Sequence, residues 1–348
     1  MLHYRPRPPD DSAITAPAVN TLESSASAME IVQAGLPDAS NSPSRLGWLM
    51  FWMSGTLTAF IVAALSVRAL SHHFNAFEMM TVRSFGGLVI LLAMGLASPA
   101  LLRSVQWRHM GLQFGRNVAH FGSQICWTVG IAVLPFATVF ALEFIIPAWV
   151  TLLAVLFLGE RMTATRAGAL ALCFLGVLVV LRPGHEAFHP VALLMVFGAL
   201  LFAIAAVITK KLIVTESTFS IMFWMNVMQL PMNYLRSSDY TFFLKFDASM
   251  TLPLLGVAVA GLAIHYCLTN AFRYGDAMVV IPMDFLRVPL IAVIGWMFYG
   301  EHLDAFVFTG AGLIIAGVLW NVRGEAQRNG RLADERRAGP RAAIQPAE

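Results

Sequence analysis

Ten apolar blocks, each close to the length that crosses a bilayer, constrain this chain more than any other feature of its sequence. The first, Leu46–Val67, lies between Arg45 and Arg68 and carries no ionisable group. Others follow at about 77–102, 109–133, 137–158, 165–181, 188–209, 218–235, 250–271, 277–299 and 305–322. Spanning the hydrocarbon takes roughly 20 residues of helix. Inside lipid a segment must satisfy its own backbone hydrogen bonds, which leaves helices or a closed barrel. Barrel strands alternate apolar and polar residues, and these blocks do not. The expected fold class is therefore an all-α integral membrane protein of ten transmembrane helices. The third and seventh blocks carry the most polar residues.

Composition agrees. The chain is 58% hydrophobic and 12% charged, with a mean hydropathy of +0.70, whereas a soluble domain is roughly one-quarter charged. A net charge of +3 is no footprint for nucleic acid, so the expected surroundings are lipid. Cys126, Cys173 and Cys267 all lie inside apolar blocks and read as small core residues. Residues 1–44 are rich in Pro, Ser, Ala and Asp and are expected to form a disordered cytoplasmic tail. Residues 324–348 are expected to form a second cytoplasmic tail, disordered or lying as an amphipathic helix on the membrane surface.

Lys and Arg positions orient the spans, because cytoplasmic loops retain positive charge. With the N-terminus inside, sixteen Lys and Arg fall on that side and four outside: Arg68, Arg182, Arg236 and Lys245. The remaining three, Arg83, Arg116 and Arg287, lie within spans. Both termini are thus expected in the cytoplasm, with the chain multi-pass in the plasma membrane of a bacterium.

The chain also repeats itself. Glu143-Phe144-Ile145-Ile146-Pro147 matches Asp284-Phe285-Leu286-Arg287-Val288-Pro289, and each precedes an apolar run ending in Gly-Glu. Glu143/Asp284, Gly159/Gly300, Glu160/Glu301 and Gly176/Gly317 are 141 residues apart; Phe77/Phe219, Arg68/Lys210, Pro147/Pro289 and Gly168/Gly310 are 142 apart. This defines two units, 46–183 and 188–323, each of five spans. An odd unit enters the membrane from opposite sides in its two copies. Inverted repeats of this kind build alternating-access transporters whose substrate site lies between the halves.

The stretch Leu134-Pro135-Phe136-Ala137, Pro147, Leu158-Gly159-Glu160-Arg161, Gly168 and Gly176 is echoed by Pro282, Pro289, Gly300-Glu301, Gly310 and Gly317. It resembles the EamA domain of the drug/metabolite transporter superfamily, over roughly residues 46–323. That resemblance implies a carrier of small metabolites such as amino acids, nucleobases, vitamins or S-adenosylmethionine, working as exporter, importer or exchanger.

A charge in mid-bilayer costs about 2.5–3.5 kcal/mol on insertion scales, so intramembrane charges are candidates for function. Here they are Arg83, Arg116, Glu143, Asp284 and Arg287. Asp284 and Arg287, three apart, can pair along one helix face. Glu143 has no local partner, and Arg116 or Arg83 on neighbouring helices is its expected counter-ion. One reading is a site for a zwitterion, with carboxylates facing an ammonium and an arginine facing a carboxylate. The alternative is that the charges lock helices together as buried ion pairs. Glu143 is also a candidate proton carrier, since a carboxylate removed from water binds a proton more readily.

Arg116, His120, Gln124 and Trp127 share one helical stripe, as do Asn226, Gln229 and Asn233. His265 shares a face with Thr269, and Tyr266 and Asn270 lie beside it. Each group can line a polar cavity or bond helices to one another. Pro147 and Pro289 each free a carbonyl one turn earlier and mark kinks or hinges. Gly159 and Gly300 are expected to end helices, with Glu160 and Glu301 in capping roles. Glycine faces at 168/176 and 310/317 can pack within one chain or form a homodimer.

His185-Glu186-Ala187-Phe188-His189 has the spacing of a zinc protease motif. Arg182-Pro183-Gly184 before it and Pro190 after it oppose the helix that would turn both rings to one metal. A zinc hydrolase is therefore the competing reading from another class. No Gly-Lys pair exists for a Walker loop, and no cofactor is expected. The leading expectation is a gradient-driven exporter of a small zwitterionic amino-acid-like metabolite, with protons as one candidate coupling ion. An importer or exchanger of S-adenosylmethionine or a similar cation is the alternative.

Overall fold

Helices form at every apolar block of the sequence. The computed structural model describes residues 43–157, 162–183, 188–213, 215–274, 280 and 283–338, and no strand occurs among them. In chain order the helices are α1 (Pro43–Leu70), α2 (Ala76–Ala97), α3 (Pro99–Arg103), α4 (Met110–Val133), α5 (Phe136–Glu143) and α6 (Ile146–Phe157). Then come α7 (Ala164–Leu181), α8 (Pro190–Leu212), α9 (Thr218–Tyr234), α10 (Thr251–Tyr274), α11 (Arg287–Tyr299) and α12 (Ala305–Ala338). The expected N-terminal tail, the Gly159–Glu160 turn and the His185–Glu186 pair lie outside the described residues.

Seven segments are long and apolar enough to cross a membrane by length and composition. The exceptions are instructive. Helix α4 carries Gln113, Arg116, Asn117, His120 and Ser123, but all of these are buried in the protein. Helix α9 has 17 residues and hides Asn226, Gln229 and Asn233, while α11 has only 13. Polar residues that face protein do not have to be solvated by lipid. Outward-facing residues such as Phe51, Phe85, Leu96, Leu252 and Phe298 are apolar.

The fourth block is not one kinked helix. It breaks at Phe144–Ile145 into α5 and α6, with Ile145 N–H donating to the Leu142 carbonyl at 3.3 Å. Pro147, having no N–H, cannot carry the ladder across this point. The repeat copy breaks alike: Phe285–Leu286 interrupts the helix before α11, and Leu286 N–H donates to the Met283 carbonyl at 3.1 Å. The two breaks meet, with the Phe144 and Phe285 rings 4.4 Å apart edge to face. Around them Phe136, Phe140, Leu142, Ile145 and Ile291 are fully buried.

Close backbone contact ties the two units together through α7 and α12. A Cβ on Gly176 would lie 2.6 Å from the Gly310 carbonyl oxygen, and one on Gly317 would lie 2.7 Å from the Ala169 carbonyl oxygen. These glycine faces therefore pack within one chain.

Gly300 adopts φ 63° and ends α11, as its sequence position suggested. Glu301 then reaches across. It accepts from Phe136 N–H at 2.8 Å, at the start of α5, and from Arg68 Nη1 at 3.0 Å. Arg68 was assigned to an external loop, yet it sits in the last turn of α1 and also donates to the Ile131 and Leu134 carbonyls. At the same end Arg182 pairs with Asp304, and Glu78 accepts from Ser237 and Ser238 at 3.2 and 3.3 Å. Elsewhere Glu216 accepts from Gln113 at 2.6 Å and Ser220 at 3.1 Å, and the Ser104 and Ser217 hydroxyls meet at 2.9 Å. Helix α12 continues past the last apolar block to Ala338. Its Ala, Glu and Arg are strong helix formers.

In the loop after α9, Lys245 and Asp239 lie 2.8 Å apart, well exposed. Hydrogen bonds from Lys245 and Thr241 bring the Asp239 carboxyl down to about 2, and Asp239 in turn raises the Lys245 ammonium. A lowered acid stabilises above its ordinary range and loses that effect only as pH falls towards the lowered value; a raised base stabilises until pH climbs through the raised value. The link should hold from about pH 4 to 10. Amide exchange over 236–250 is expected to be flat between pH 5 and 9 after correction for the intrinsic rate. Opening within that window would show that the pair does not order the loop.

Candidate functional site

The chamber that both sequence units enclose has a volume of about 200 Å³. Its wall takes Phe60, Met80, Arg83, Gln124, Trp127 and Glu143 from the first unit, and Phe202, Val257, Gly261, Ile264 and His265 from the second. Among the sequence candidates, Arg83, Gln124, Trp127, Glu143 and His265 thus meet around one space.

Glu143 owes its position to the break after α5, which leaves it as that helix's last residue. Its partner is neither Arg116 nor Arg83 but Arg287, whose Nη1 lies 3.2 Å from Oε1. The abutting breaks explain this: they carry the first residue of α11 to the last residue of α5. Trp127 Nε1 donates to the other oxygen at 3.2 Å. Arg287 also meets Asp284 at 3.4 Å. Its guanidinium lies 4.2 Å from the Phe60 ring centroid and 4.4 Å from that of Phe144. Such stacking suits the weakly hydrated, planar guanidinium. Asp284 and Arg287 are not among the chamber's lining residues; Asp284 holds Arg287, and Arg287 braces Glu143.

The polar stripe of α4 divides. Its first half bonds helices: Arg116 Nε donates to Thr209 of α8 at 3.0 Å and His120 Nδ1 lies 2.9 Å from Gln229 Nε2 of α9, while Arg116 Nη1 donates to Asn117 within α4 at 3.1 Å. Its second half, Gln124 and Trp127, lines the chamber. Along α9, Asn226 and Asn233 bond carbonyls of their own helix, and Asn233 also reaches Ser84. Tyr266 points outward, 59% exposed and edge-on to Trp52. Asn270 is buried and donates to the Tyr266 carbonyl at 2.8 Å. Neither joins the chamber wall. His189 caps α8, accepting from Val191 N–H at 3.2 Å, and among the described residues no group of His, Cys, Asp and Glu suits a metal.

Arg83 contrasts with Arg287. It lines the chamber but makes no hydrogen bond or ion pair with the described residues. Buried Glu216, held by Gln113 and Ser220, escaped sequence reasoning because it precedes α9 in a short connection and looks like an ordinary loop acid.

A helical bundle of two repeats enclosing a charged chamber, with apolar flanks, is a membrane transport protein in class. The profile of the EamA-like transporter family matches residues 46–182 and 189–323, and the chain belongs to that family. It is 33% identical to a riboflavin transporter of Rhizobium johnstonii, over 69% of this chain and 78% of that one. An S-adenosylmethionine uptake transporter of Rickettsia bellii is 28% identical over 60% of this chain and 72% of its own. A pseudopaline exporter of Pseudomonas aeruginosa is 28% identical over 73% and 88%. One solved crystal structure superposes with a TM-score of 0.50 at 16% identity, covering 78% of this chain and 95% of that one; this likeness concerns the fold alone.

Proposed function

We propose that this chain is a secondary transporter that moves small polar, amino-acid-like metabolites by alternating access between two inverted five-helix repeats. The carrying observation is the chamber itself, walled by both repeats, with the acid Glu143 and the base Arg83 on one surface. An ammonium on the cargo competes with Arg287 for Glu143, and Trp127 steadies the carboxylate while the exchange occurs. The helix breaks beside Pro147 and Pro289 act as hinges.

The grouping of connections supports ten crossings with both termini on the cytoplasmic side. Arg68–Glu301, Arg182–Asp304 and Glu78–Ser237 join connections assigned to the outside. Gln113–Glu216 and Ser104–Ser217 join segments assigned to the inside. The relatives' names include both uptake and export, so the gradient sets the direction, with protons as the candidate coupling ion.

Efflux and uptake of labelled amino acids and their derivatives in proteoliposomes, with and without a pH gradient, test this reading. Glu143→Gln is expected to slow zwitterion flux about 10- to 100-fold, the value of a charge-assisted hydrogen bond. Unimpaired flux at normal protein levels would remove Glu143 from the site. A second reading, a planar flavin-like cargo, is favoured by the Phe60, Trp127 and Phe202 rings in the wall and by the Rhizobium johnstonii relative. Saturable riboflavin uptake that is lost in Trp127→Ala would select it.

A further inference from the structure

Apart from Glu78 and Arg166 in the first turns of their helices, the spans hold five charges, and these do not cancel. Glu143 and Asp284 are both engaged by Arg287. That leaves three arginines against two carboxylates, and the surplus is positive. Arg116 is held by Thr209 and Asn117, which are neutral, and lies behind the wall. Arg83 alone of the three faces the chamber. Arg83 is half-buried at the chamber wall with no carboxylate of the described residues beside it, and an anion entering the chamber would pair with it.

The backbone makes room for this arginine. A Cβ on Gly261 would lie 2.5 Å from Arg83 Nε and 2.9 Å from Nη2, so the guanidinium rests against bare helix α10. Arg116 stands within electrostatic reach of Arg83 and adds to the positive field at that wall. Of the wall's charged groups, Glu143 is the acid, and it already has a counter-ion.

We infer that Arg83, seated on Gly261, is the docking point for an oxyanion of the cargo, a carboxylate above all, and that the chamber disfavours cargo with net positive charge. This rests on the transport reading and deepens it: the base that meets the cargo is Arg83, while Arg287 serves to brace Glu143. A net cation would add to the surplus instead of cancelling it. The planar fork of arginine suits a carboxylate's two oxygens.

The test uses the purified full-length chain in detergent. Thermal unfolding is followed with acetate, benzoate and indole-3-acetate, each against its own amide at matched ionic strength. Saturable stabilisation by at least one acid over its amide is expected in the unsubstituted chain. Arg83→Gln should raise the half-saturating concentration about 10- to 100-fold. Arg83→Lys should recover part of the loss. Gly261→Ala, which displaces only the flexible end of Arg83, should weaken binding of the acid without lowering the ligand-free midpoint as a core defect would. Acid and amide acting alike, or Arg83→Gln leaving acid binding unchanged, would overturn the inference. The flux assay keeps the two readings apart. Acid binding that depends on Arg83 in a protein that moves none of the panel sinks the proposed cargo and leaves the oxyanion site standing. Zwitterion flux whose KM ratio of acid to amide ignores Arg83→Gln does the reverse.

Discussion

Arg287→Ala is expected to destabilise the folded protein by about 3–5 kcal/mol, the usual result of removing one partner from a buried ion pair. Arg287 is 5% exposed and stands between Glu143 and Asp284, with aromatic rings against its guanidinium. Deleting it leaves two carboxylates near one another with no cation supplied from α11. Asp284 Oδ1 already lacks a hydrogen-bond partner among the described residues, so little else is available to absorb the charge. The triple variant Glu143→Gln/Asp284→Asn/Arg287→Met should recover much of the loss, because neutral side chains of similar size leave neither carboxylate unpaired. It should remain inactive in flux. Thermal or denaturant unfolding of the detergent-solubilised chain reads both effects. A loss below about 1 kcal/mol for Arg287→Ala would place the pair among weakly contributing contacts.

Gly176→Val is expected to be comparably damaging for a steric reason. The first added carbon would meet the Gly310 carbonyl oxygen at 2.6 Å and the Ile314 amide nitrogen at 2.9 Å. Both are backbone atoms and cannot rotate away, so α7 and α12 must separate. Overpacking typically costs about 1–3 kcal/mol, and valine's two further methyl groups put this site at or above the top of that range. Gly317→Val should behave alike, since its added carbon meets the Ala169 carbonyl oxygen. Gly312 supplies the control: it lies on the same helix, with nothing within 4 Å of an added Cβ. Gly312→Ala should change stability by less than about 1 kcal/mol, in either direction. Equal losses at Gly176 and Gly312 would mean that helix contact is not what the first glycine protects.

The apolar blocks and the 141–142 spacing made the helices and the repeat legible, because both depend on local pattern. Glu143 and Arg83 could be singled out for the same reason: a charge in an apolar run is conspicuous wherever the chain folds. Their partners could not be found this way. Glu143 and Arg287 are 144 residues apart, and Arg68 and Glu301 are 233 apart. Pairing over such distances is decided by packing, which brings Glu143 to Arg287 and not to Arg116 or Arg83. His265 and Tyr266 show a finer limit. Neighbours on a helix point about 100° apart, so one enters the chamber wall while the other faces outward. Pro147 signalled a disturbance, but whether the ladder bends or stops depends on what can replace its missing bonds.

The touching breaks have one more consequence. A rod interrupted partway along its length can tilt at one end without dragging the other. Here each half of the molecule supplies such a rod, and the interruptions abut ring to ring at Phe144 and Phe285. A tilt of either segment about its break would press on the ring of the other.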